Sequence, residues 1–212
     1  GTGLTWQSTC RPTASAAPLL AGRLLPALDG YGAGTRMRSK KETENLFELI
    51  REDAQSWLAQ AKQLRLSADV IHREWEKIRN HPQSVPGVRE RMLAYSQSFM
   101  LLTGFAFENL LKGILHGQDP NRDLKKKYAG GHGIVKMAKE VTTLTPDELN
   151  LLERLEIYLV WAGRYQLPMT SVKLHETQDN VAITTKDPLV IELLFDKLER
   201  RLQQEWKARG NY

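Results

Sequence analysis

Phe99-Met100-Leu101-Leu102-Thr103-Gly104-Phe105-Ala106-Phe107-Glu108-Asn109-Leu110-Leu111-Lys112 is the stretch whose reading decides the class of this chain. Between Phe99 and Phe107 only Thr103 offers a side-chain hydrogen-bonding group. A helix that is apolar on all sides is normally surrounded by other helices or by lipid. Glu108 and Lys112 interrupt the run before it reaches the roughly 20 apolar residues a bilayer requires. The segment therefore reads as the buried central helix of a bundle, running from about Gly87 to His116, with no membrane role. Gly104 costs roughly 1 kcal/mol in a helix relative to alanine, and close approach by a neighbouring helix is the expected compensation.

Working outward, Leu46, Ile50, Trp57, Leu58, Ala61 and Leu64, then Ala68, Ile71, Trp75 and Ile78, recur at helical spacing. They predict one long helix from Glu42 to about Arg79, with Ser67 as a kink or restart. His81-Pro82 through Pro86-Gly87 ends it. After the central helix, Gly117 to Gly131 is a polar loop holding Arg122 and Lys125-Lys126-Lys127. A short helix follows from about Gly133 to Val141, with Ile134, Met137, Ala138 and Val141 on one side. Thr145-Pro146-Asp147-Glu148 combines an N-cap, a proline at the first helical position and a capping-box glutamate. The helix it starts carries Leu152, Leu155, Leu159 and Ala162, and ends near Gly163 to Pro168. Asp187-Pro188 opens the last helix, with Ile191, Leu194, Leu198 and Leu202 inside. Alternation over 172–184 reads as a small β-hairpin or an extended loop. The expected architecture is all-α, an up-and-down bundle of about five helices.

Composition agrees. Of 212 residues, 41% are hydrophobic and 26% charged, which suits one globular domain. The net charge of +5 is uneven. Residues 1–38 hold Arg11, Arg23, Arg36 and Arg38 against Asp29, a net of +3, which leaves +2 for the rest. The basic balance thus says little about nucleic-acid binding by the bundle. Residues 1–40 are rich in Gly, Pro, Ser and Ala and read as disordered or as a non-native extension, with natural translation beginning at Met37. The domain proper is expected over 41–208. A single cysteine, Cys10, precludes an internal disulfide framework and fits a reducing, cytoplasmic setting.

Several constellations bear chemistry. Glu108 and Lys112 stand at i and i+4 and share a helix face, in the favourable order for an ion pair. They read either as a structural pair or as a polar patch in a groove. Arg154, Tyr158, Trp161 and Tyr165 follow helical spacing, where aromatics more often serve a core or dimer interface than stack on bases. Arg164 lies at the frayed end of that helix. His132, between Gly131 and Gly133, opens a helix whose N-terminal amides suit an anion. His72, His81, His116 and His175 lack metal-ligand spacing, so no metal or cofactor is expected.

Three segments together resemble the HEPN-like family (higher eukaryotes and prokaryotes nucleotide-binding). They are Phe105-Ala106-Phe107-Glu108-Asn109-Leu110-Leu111-Lys112-Gly113, Gly131-His132-Gly133-Ile134-Val135-Lys136-Met137-Ala138, and Trp161-Ala162-Gly163-Arg164-Tyr165 with Pro168 beyond. The resemblance spans roughly residues 43–205. It implies a helical bundle, often a homodimer, in a superfamily that includes metal-independent RNases of toxin–antitoxin and defence systems. It also implies a polar groove built from Glu108, Lys112, His132, Arg164 and Tyr165. Active members carry Arg-x4-6-His, and here the chain departs: after Arg164 the next histidine is His175, ten residues intervening. Arg65 and His72 have the spacing but lie on the first helix, where the family does not carry the motif. With Tyr158 and Trp161 they rank lower. The expected function is non-catalytic binding of a partner protein, RNA or nucleotide. The alternatives are an RNase, with His132 replacing the missing histidine, and an accessory subunit of a nucleotidyltransferase. An antitoxin is a further expected partner.

Overall fold

A computed structural model describes residues 39–82, 85–128, 132–163, 171 and 182–210. The chain divides into two units, Gly1–Thr43 and Glu44–Tyr212. Among the described residues the regular elements are all helical: α1 (Lys40–Glu52), α2 (Ala54–Ile78), α3 (Val88–Gln118), α4 (Leu124–Lys127), α5 (Ile134–Val141), α6 (Pro146–Ile157), a π-helical turn (Tyr158–Ala162) and α7 (Asp187–Ala208). The bundle class expected from the sequence is what the molecule shows.

Helix α3 is the axis. It packs against α2, α5, α6, α7 and the π turn. Phe99, Met100, Ala106, Phe107, Leu110, Leu111, Ile114 and Leu115 are buried around its circumference. By length and composition it is apolar enough to cross a membrane, but 67% of its apolar window is buried within the bundle. Protein thus covers most of the surface that lipid would cover. Two of its interior glycines mark close contacts with neighbouring elements. A Cβ at Gly104 would lie 3.0 Å from Leu159 Cγ, the close approach predicted for it. At Gly113 the fit is tighter, with Leu202 Cδ1 at 2.6 Å and Trp57 Cβ at 2.8 Å.

The helix starts follow local chemistry. Thr145 and Glu148 form the predicted capping box, with the Glu148 amide donating to Thr145 Oγ1 at 3.2 Å and the Thr145 amide to Glu148 Oε2 at 2.7 Å. Ile134, Met137, Ala138 and Val141 are buried on α5, and Ile191, Leu194, Leu198 and Leu202 on α7, as their spacing predicts.

Two expectations need correction, and a third falls largely outside the described residues. The long first helix is broken, not at Ser67 but at Asp53, whose carboxylate accepts from the amides of Gln55 and Ser56 and so caps a new helix. Ser67 instead donates its hydroxyl to the Gln63 carbonyl within an uninterrupted turn. The polar loop also contains the helical turn α4, capped by Asp123. The expected hairpin over 172–184 lies outside the described residues up to Val181, and Ala182–Thr184 carry no regular structure.

Candidate functional site

Glu108 lies on α3, on the side that meets the segment leading into α5, and is 5% exposed. A buried carboxylate needs partners on both oxygens. Lys112, one turn on, donates to Oε1 at 2.5 Å. His132, 24 residues on, places Nδ1 2.8 Å from Oε2. A carboxylate only accepts, so Nδ1 carries the hydrogen, and the Nε2 side of the ring is left for other partners. Nε2 makes no hydrogen bond among the described residues. The side chains of Lys112 and His132 are 20% and 31% exposed. The cluster is thus a buried anion with two basic ends reaching toward solvent.

Local backbone chemistry fixes the direction of His132. The Gly133 amide donates to the Tyr128 carbonyl at 3.0 Å, and a Cβ at Gly133 would lie 3.2 Å from that oxygen. The Ile134 amide donates to the carbonyl of His132 itself. Sequence alone leaves the N-terminus of α5 open to an anion, beside the commoner reading of His132 as a capping or loop-packing residue. The structure gives the Val135 amide to Glu156 Oε2 at 2.9 Å, from α6. A carboxylate of the protein therefore occupies that end, and the chemistry left for a ligand is in the Lys112 and His132 side chains.

Of the predicted groove residues, Glu108, Lys112 and His132 come together. Arg164 and Tyr165, with His175, lie outside the described residues. The lower-ranked residues lie elsewhere. Arg65 and His72 are on α2, with Arg65 paired to Asp69 at 3.2 Å. The His72 ring is stacked on Trp75 and tilted 4.7 Å from Phe99. Burial depresses the His72 pKa, against the opposing pull of Glu76 and Asp69, as suits a packing histidine. Tyr158 is 3% exposed and belongs to the core. Burial raises its pKa, with Arg154 acting against the rise. Trp161 is half-buried in the π turn, and its buried Nε1 has no hydrogen-bond partner among the described residues. That turn closes because Gly163 donates to the Tyr158 carbonyl at 3.1 Å while lying against Leu101, where a Cβ would meet Cδ1 at 2.7 Å. Among the described residues no group of three His, Cys, Asp or Glu side chains is placed to hold a metal.

Arg154, read with the aromatics in the sequence, is a structural residue. It is 5% exposed and grips Asp187 with both guanidinium ends, at 2.5 and 2.7 Å. It also donates to the Ala182 carbonyl at 2.7 Å. Burial opposes ionisation of Asp187, but Arg154 and the amide and hydroxyl of Thr184 outweigh it and lower its pKa. Thr184, three residues before Asp187, donates both its amide and its hydroxyl to that carboxylate, a local contact that the sequence reading passed over. Glu140 was also missed. It accepts from Tyr128, Arg122 and Lys127. Tyr128, a lone aromatic within a polar loop, was the available clue.

Comparison with protein-family models, with curated proteins and with solved structures gives no match to this chain. The class that fold and site define is a helical bundle in which Glu108 and Lys112 of the core helix meet His132 from the segment that leads into α5.

Proposed function

We propose that this bundle is an HEPN-like protein that binds RNA or a nucleotide through phosphate at the Glu108, Lys112 and His132 cluster, without cleaving it. The observation that carries the reading is the meeting of these three residues, which the resemblance selects from separate segments. Lys112 supplies a point charge and His132 a hydrogen-bonding nitrogen, both on the solvent side of Glu108. The non-catalytic part rests on the absence of a histidine five to seven residues beyond Arg164, where Met169, Thr170 and Ser171 stand.

One observation favours a second reading, a metal-independent RNase. A carboxylate that orients an imidazole through Nδ1 and leaves Nε2 for the reacting group is an arrangement suited to general acid–base work. Incubating mixed RNA with the protein in chelator separates the two. Retention of intact RNA that Lys112→Ala weakens supports binding. Cleavage that His132→Ala abolishes replaces it with the RNase, and neither retention nor cleavage overturns both. A protein partner, whether a second copy, an antitoxin or a nucleotidyltransferase, then becomes the reading to pursue.

A further inference from the structure

The geometry points to Glu140 as the residue that positions His132, acting through Tyr128. This inference rests on the reading of His132 as the ligand-facing group. Helix α5 has eight residues, too few to be stable alone, so outside contacts must fix the chain where His132 enters it. Glu140, near its far end, reaches back over the helix. Its Oε2 accepts from the Tyr128 hydroxyl at 2.6 Å, and its Oε1 accepts from Arg122 at 2.6 Å and Lys127 at 3.0 Å. Arg122 also donates to the Tyr128 hydroxyl at 3.3 Å.

The Tyr128 ring is fully buried. Its hydroxyl is thus held by Glu140, while its carbonyl holds the Gly133 amide. One residue is gripped at both ends, and His132 is the neighbour of the amide it grips. Lys136, from α5, adds a bond to the Lys127 carbonyl at 3.1 Å. Tyr128 is thus tied to Glu140 through its hydroxyl and to Gly133 through its carbonyl. Between Tyr128 and Gly133 the imidazole meets Glu108 in one orientation.

The test is the tautomer of His132, read from its imidazole nitrogen signals in ¹⁵N-labelled protein and assigned by loss in His132→Gln. The wild type should show a single Nδ1–H form when neutral, and Glu108→Gln should show a mixture. Glu140→Ala and the milder Tyr128→Phe should both move His132 toward that mixture while helical content is retained. Leu58→Ala, a core truncation on α2, is the control: it should lower the melting temperature and leave the His132 signals in place. Unchanged His132 signals in folded Glu140→Ala overturn the inference, and if that variant does not fold, unchanged signals in Tyr128→Phe do so. Because the readout requires no ligand, failure of wild-type protein to bind RNA would defeat the binding proposal and leave this result to be decided on its own.

Discussion

Glu108 Oε2 and His132 Nδ1 stand 2.8 Å apart across the α3–α5 contact, although 24 residues separate them in the chain. With Lys112 on the other oxygen, the carboxylate is saturated by two basic groups in a site from which solvent is nearly excluded. Such an anion is stable only while paired.

Lys112→Ala should therefore destabilise the bundle by about 1–3 kcal/mol, the range for stranding a buried polar group. Adding Glu108→Gln should recover part of the loss, since the double variant no longer buries a charge. Urea denaturation of the single and double variants measures this directly. Simple additivity would show that the pair is not coupled.

Arg154→Ala strands Asp187, which is 2% exposed. Removing one partner of a buried pair costs about 3–5 kcal/mol, and thermal unfolding should show a loss of that order. Arg154→Lys should restore only part, because an ammonium cannot match the two-pronged contact.

The Glu140 carboxyl is held well below its ordinary value of 4.5, at about 2, first by the Tyr128 hydroxyl, then by Lys127 and with Arg122 adding to the effect. A depressed folded-state pKa contributes stability above the unfolded value and loses it as pH falls. The contribution should be intact above pH 4.5 and fade between 4.5 and about 2. In Glu140→Gln, stability should fall less steeply across that window than in the wild type.

Gly113→Ala should be the costlier of the two central glycine substitutions. Overpacking costs typically about 1–3 kcal/mol, against roughly 1 kcal/mol gained in helix propensity. At Gly113 the new methyl would meet Trp57 Cβ at 2.8 Å, an atom with little freedom to retreat. At Gly104 it meets Leu159 Cγ at 3.0 Å. Melting temperatures of the two variants should rank accordingly.

Much of the bundle was legible because helix periodicity and capping are local. Thr145 and Glu148 announce α6 within four residues, and Gly104 implies its neighbour's approach. The break at Asp53 was hidden because the apolar stripe continues on both sides of it. The candidate site was legible only in halves. Glu108 and Lys112 are joined by helical spacing, whereas no spacing rule joins them to His132, whose place depends on the fold of a loop. Glu156 was hidden for the same reason, and Glu140 left only an indirect clue in Tyr128. Each is an ordinary surface glutamate until tertiary contact gives it the Val135 amide or the Tyr128 hydroxyl.

The most direct test of the ligand site is a titration of ¹⁵N-labelled protein with a short RNA or a nucleoside phosphate, following the His132 imidazole. The account predicts that the His132 signals shift to saturation and that Lys112→Ala weakens the response. Signals that stay in place while RNA binds elsewhere, or no binding at all, would contradict it.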